Sequence, residues 1–303
     1  MRRSGLATLA VLTITVIWGS TFFIIKDAVD RMEPIDFLAI RFTIAAALIA
    51  LVLWPRLRRL PAGGWRAGLG LGVLYGLAQI AQTYGLKHTS ASVSGFITGT
   101  YVVLTPIILW LFLKVRLSAQ AWVAVALACL GLGVLTLTGP AAMGWGEWLT
   151  LLGAFFYALH IVVLERFAPQ WDALALTAVQ LVGVALTCLV AAIPGGVHLS
   201  ADPVAWRAIA YTVLVAGIAT MLLQTWAQRH LSATRTALMM TFEPVFASLF
   251  AIALGGEHLS ARLLIGGGGP RRPQHPTDPR GYDHPGRSHI SQRHRRLVKE
   301  KTP

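Results

Sequence analysis

A chain of 303 residues with 55% hydrophobic and only 13% charged positions is too apolar for a soluble fold, in which about 25% would be charged. The formal net charge of +13 does not describe a nucleic-acid-binding face. It is split between short loops and the stretch Arg271–Pro303, which holds nine Lys/Arg against three acids. Lipid is therefore the expected solvent for most of the chain.

The N-terminal Met1-Arg2-Arg3 and the apolar run after it imitate a signal peptide. The run is about 20 residues long, and Trp18 and Phe22-Phe23 replace a small-residue cleavage site, so it reads as a retained first span. A helix needs about 20 predominantly apolar residues to cross a bilayer core. Nine segments meet this in chain order: Leu6–Ile25, Asp36–Trp54, Ala67–Leu86, Ser92–Leu113, Ala121–Leu137, Trp148–Leu164, Leu174–Ile193, Ile209–Trp226 and Thr236–Leu254. Turn chemistry and charge punctuate them, at Pro55 with Arg56, Arg58 and Arg59, at Lys114 and Arg116, at Gly139-Pro140, at Pro194-Gly195-Gly196 and at Gly255-Gly256-Glu257. The runs show no period-2 alternation, and a lone span in lipid must satisfy its own backbone, so helices are expected.

The loops set the orientation. With the N-terminus in the cytoplasm, the inside carries Arg2, Arg3, Arg56, Arg58, Arg59, Arg66, Lys114, Arg116, Arg166, Arg229 and Arg235. The outside carries only Lys26, Arg31, Lys87, Arg207 and Arg262. Eleven against five predicts an N-in, multi-pass protein of a bacterial-type inner membrane.

The chain also repeats itself. Trp65-Arg66-Ala67 matches Trp206-Arg207-Ala208, Gln82 through Ala91 matches Gln224 through Ala233, and Leu117-Ser118 matches Leu259-Ser260. The offset is 141 in the first block and 142 in the other two, so one gap suffices. The unit is five spans, an odd number, which turns the second copy upside down. Inverted repeats of this kind recur in secondary transporters, where two halves rock about a midplane site. The expected fold is an all-α polytopic membrane bundle of two inverted five-helix repeats, covering residues 5–137 and 146–266. A ten-helix plan follows, with nine full spans present and the tenth lost. After Ile265-Gly266 the sequence turns to Gly, Pro, Arg and His, a composition that cannot span lipid and reads as a disordered basic tail over residues 267–303. We expect a shifted reading frame near Gly266, the alternative being a natural tail. Sequencing the locus for an alternative frame with about 18 further apolar codons tests this.

Further motifs are Trp18-Gly19-Ser20-Thr21-Phe22 in span 1, Arg41-Phe42 in span 2, Pro106 in span 4, Glu243-Pro244-Val245 in span 9, and Gly256-Glu257-His258-Leu259-Ser260 after it. With the repeat, over about residues 5–266, the chain resembles the EamA-type drug/metabolite transporter superfamily. The resemblance implies a ten-helix permease or exporter of small organic metabolites or drugs. An inactive truncated relic and a non-transporting scaffold or sensor are the alternatives.

A charged side chain at mid-bilayer costs about 2.5–3.5 kcal/mol on insertion scales, which makes intramembrane polar residues functional candidates. Glu243, beside Pro244 and opposite Tyr101 in the repeat alignment, is a candidate contact for a substrate amine or a proton. Arg41 suits a carboxylate, or snorkels to the headgroups. His160 suits a proton carrier or an interhelical hydrogen bond. Gln82 and Gln224 are repeat mates and cavity candidates, while Gln180 reads as interhelical glue. Trp18 and Thr21 lie one turn apart, and Tyr157 maps onto Trp18 at an offset near 139, a pair of aromatics suited to a midplane cavity. Trp54, Trp65, Trp148 and Trp206 read as interface anchors, and Gly70, Gly72, Gly76, Gly131 and Gly133 as close helix contacts. Cys129 and Cys188 lie in apolar runs, without disulfide or zinc spacing. No Walker loop, catalytic group, metal site or cofactor is predicted. The expected partners are a small-molecule substrate and membrane lipid, with no nucleic acid. The tail histidines His275, His284, His289 and His294 read as incidental.

Overall fold

The computed structural model describes residues 2–114 and 143–256, with a few positions between them. The predicted span 5, Cys129, Gly131, Gly133 and the tail with its proposed frame shift lie outside the described residues. Among the described residues every regular element is helical. The order is α1 (Arg2–Val29), α2 (Pro34–Val52), the single turn α3 (Trp54–Leu57), α4 (Ala62–His88), α5 (Ala91–Thr98), α6 (Tyr101–Leu113), α7 (Trp145–Phe167) and α8 (Ala173–Ala192). There follow α9 (Pro203–Val213), a π-helical segment (Leu214–Ala219), α10 (Thr220–Ala227), α11 (Ala233–Met239), a 3-10 turn (Met240–Phe242) and α12 (Glu243–Ala253).

Seven of the described helices are long and apolar enough to cross a membrane, with α5–α6, α9–α10 and α11–α12 each counted as one span. The predicted span 3, α4, has the length but not the composition. Its 27 residues reach about 40 Å at 1.5 Å per residue, yet they include Gln79, Gln82 and many glycines. The reason is its place: α4 packs against both α7 and α8, so its polar positions meet protein instead of lipid. The outward surface is apolar, as lipid requires. Leu51, Phe112, Ile193, Val245 and Leu249 are all exposed. The chain is an integral, multi-pass membrane protein.

Capping follows the repeat. Ser90 accepts from the Val93 amide to start α5, and its mate Ser232 accepts from the Arg235 amide to start α11. Asp172 and Asp202 cap α8 and α9 in the same way. The spans that follow the serine caps both break near their middle. α5 gives way to α6 at Gly99-Thr100, and α11 to α12 at Met240–Phe242. The breaks face each other, for a Cβ at Gly99 would run into the Pro244 ring. Close approach also explains Gly72, whose Cα meets Gly183 where α4 crosses α8. A Cβ at Gly70 would meet nothing within 4 Å, so its expected packing role is corrected.

The single gap in the repeat has a physical form. The offset rises from 141 to 142 between Ala208 and Gln224, so the second copy carries one extra residue there. The π segment Leu214–Ala219 occupies that stretch, and one inserted residue in an α-helix is accommodated as such a bulge. Sequence alone predicted an unbroken span here.

Ion pairs identify the two ends of the bundle. Lys87–Glu33 (2.8 Å) and Arg31–Asp202 (2.8 Å) gather at one, with a hydrogen bond from the Thr89 hydroxyl to Glu147 (2.9 Å) beside them. Arg56–Asp172 (3.3 Å) marks the other. α4 therefore ends where α9 begins, and the repeat mates run antiparallel.

Candidate solute cavity

Between the repeats lies a cavity with about 580 Å³ of space unfilled by atoms, part of it open to the outside. All nine residues singled out from sequence line it: Trp18, Thr21, Arg41, Gln82, Tyr101, Tyr157, His160, Gln224 and Glu243. Spans 1, 2, 3, 4, 6, 8 and 9 supply the lining, and α8, the predicted span 7, supplies none of it. Instead α8 works from behind. Gln180 accepts from His160 Nε2 at 3.0 Å and donates to Thr225 at 3.3 Å, the glue role expected of it.

A chain of hydrogen bonds crosses the cavity wall. Arg41 Nη2 donates to Gln79 Oε1, Gln79 Nε2 to Tyr157 Oη (2.6 Å), Tyr157 Oη to Gln82 Oε1 (2.8 Å), and Gln82 Nε2 to Thr98 Oγ1 (3.0 Å). Arginine has no acceptor, so it can only start such a chain, and it fixes the orientation of both amides and the phenol. Arg41 is 5% exposed, and its guanidinium carbon stands 4.4 Å from the Phe42 ring centroid and 5.0 Å from that of Phe37. The snorkelling alternative is thereby corrected: the head turns inward to Gln79, not out to headgroups.

Glu243 accepts from Tyr101 Oη at 2.6 Å, so the pair matched by the repeat offset is a contact pair. The carboxylate stands in the first turn of α12, where free amides favour negative charge. No base lies within ion-pair distance of it among the described residues.

Trp18 and Tyr157 play matching parts. Trp18 Nε1 in α1 donates to Thr220 Oγ1 (2.9 Å) and to the Ala216 carbonyl (3.1 Å) in span 8. Tyr157 in span 6 bonds Gln79 and Gln82 in span 3. Each repeat thus lends an aromatic to the other.

Sequence reasoning missed Tyr75 and Gln79. The Tyr75 ring lies 5.1 Å from His160, 5.4 Å from Tyr157, 6.4 Å from Phe42 and 6.5 Å from Trp18. The available signal was spacing: Tyr75, Gln79 and Gln82 fall at i, i+4 and i+7 on one helix face.

The EamA-like transporter family matches the chain twice, over residues 5–137 and 144–269. An uncharacterized transporter of Archaeoglobus fulgidus is 30% identical over 86% of this chain and 82% of its own. The uncharacterized inner membrane transporter YedA of Escherichia coli K12 is 26% identical over 83% of each. A solved crystal structure superposes with a TM-score of 0.66 at 19% identity, over 86% of this chain and 92% of that one, which speaks for the fold alone. With the doubled match, the inverted helical plan and the shared cavity, the chain belongs to the EamA-like transporter family.

Proposed function

We propose that this protein is a secondary transporter that carries a small organic metabolite or drug across the inner membrane by alternating access, with its N-terminus in the cytoplasm. One observation carries the reading: a polar, aromatic-lined cavity lies where two antiparallel repeats meet, beside facing breaks in the mated spans 4 and 9. The seven lining spans come from both repeats, so any rocking of one against the other opens or closes the cavity. Contacts between repeats latch each end, Arg31–Asp202 at one and Arg56–Asp172 at the other. Exposed pairs of this kind are worth only about 0–1 kcal/mol each, weak enough to part during turnover.

The test uses cysteine pairs, Arg31→Cys with Asp202→Cys and Arg56→Cys with Asp172→Cys, in proteoliposomes. Cross-linking either end alone should stop exchange of a transported solute, found by an efflux screen, and a reductant should restore it. Exchange that continues with one end tied contradicts alternating access.

A further inference from the structure

Arg41 holds a charge on the cavity without a counter-charge at contact distance among the described residues. It is the only Lys or Arg among the described lining residues, and the Arg41 Nε–H has no hydrogen-bond partner. No carboxylate stands within 4.0 Å of the guanidinium among the described residues. Around it stand the two phenyl rings and the single oxygen of Gln79, with Tyr75, Tyr157 and Cys188 within electrostatic reach. Gln79, Tyr157 and Gln82 each donate to the next link of the chain, and Arg41 donates to the Gln79 oxygen. A buried guanidinium left one acceptor short is costly. What the guanidinium lacks is a negatively charged partner, and Arg41 lines the cavity from which one can approach it.

The geometry points to Arg41 as a carboxylate subsite, so that the solute taken by this cavity carries a carboxylate that pairs with the guanidinium. Arginine is suited to the task because its planar donors match a carboxylate and stay charged at any working pH. The rest of the solute meets aromatic walls. Trp18, Tyr75 and Tyr157 offer flat faces that suit an apolar or aromatic body. Glu243, also on the lining and held by Tyr101, disfavours a second negative group beside it. Gln79 is a positioning residue, since its oxygen holds Nη2 and fixes the guanidinium against the cavity wall.

The inference rests on the transporter reading but is tested separately from it, by binding. The full chain in lipid nanodiscs is titrated with 3-phenylpropionate and with 3-phenylpropanamide, which has the same shape without the charge, following tryptophan fluorescence. The carboxylate should bind about tenfold to hundredfold more tightly than the amide, the worth of one charge-assisted hydrogen bond. Arg41→Gln should abolish that preference and Arg41→Lys should keep part of it. Equal binding of the two probes by the wild type, no binding of the carboxylate, or an unchanged preference in Arg41→Gln overturns the subsite. The wild-type comparison decides the matter even if Arg41→Gln does not fold. If the probes bind alike while the end-locking experiment still shows alternating access, the subsite fails and the transporter reading stands.

Discussion

Tyr157 is the middle link of the polar chain, accepting from Gln79 and donating to Gln82. Tyr157→Phe leaves both amides short of a partner in a buried wall, at a cost of about 1–3 kcal/mol for each unsatisfied group. The variant should unfold at a lower temperature in detergent, and a transition unchanged from wild type contradicts the chain as drawn. Glu243 is the one acid on the cavity among the described lining residues. If it carries the coupling proton, Glu243→Gln makes the rate of solute efflux from vesicles independent of pH. An unaltered pH dependence removes that role. These two residues also show what a sequence can reveal about a site. Glu243, Arg41 and His160 stood out because polarity inside an apolar run has a cost that needs a reason. Tyr75 did not, because an aromatic in a span is usually packing. Only the fold brings four rings around it.

At the scale of the element, the crossing of α4 and α8 and the loop pair at Asp202 make contrasting tests. A Cβ at Gly72 would sit 2.6 Å from the Gly183 Cα, so Gly72→Ala forces the helices apart at about 1–3 kcal/mol. Gly70→Ala, two residues away with open space around it, should be neutral or stabilising by up to about 1 kcal/mol, as alanine in a helix allows. Thermal unfolding of the two variants side by side checks the crossing; equal effects contradict it. Asp202 has a carboxyl held below its ordinary value, first by the Val204 amide it caps and then by Arg31. The folded state thus binds that proton less readily than the unfolded one. Its contribution is whole above the ordinary carboxylate value of about 3.9 and is lost as pH falls through the depressed one. Asparagine keeps the cap and removes the charge. The difference in melting temperature between wild type and Asp202→Asn should therefore be flat from neutral pH down to about 5 and shrink below about 4; a difference that vanishes near neutrality contradicts the assignment. The serine caps of α5 and α11 fall inside the matched block, although the match by itself did not mark them as caps. The π segment was visible only as an unexplained gap, because a one-residue insertion leaves no mark on hydropathy.

For the whole molecule, two repeats lie antiparallel among the described residues and share one cavity. Most of this was legible in advance. An odd number of spans per repeat dictates inversion, and the matched blocks say which spans are mates. What the sequence withheld was how the repeats interlock, because α4 is wedged between α7 and α8 of the other copy by glycine contacts that no hydropathy profile records. The mates His88 and His230 report the inversion best. His88 ends α4, beside Lys87 and its partner Glu33. His230 follows α10 at the far end of the span that begins at Asp202, the partner of Arg31. Single cysteines placed by His88→Cys and His230→Cys, in a chain otherwise free of cysteine, can be labelled with a membrane-impermeant thiol reagent from one side of oriented vesicles and then from the other. Antiparallel repeats place the two labels on opposite faces of the membrane; labelling of both from the same face contradicts the account.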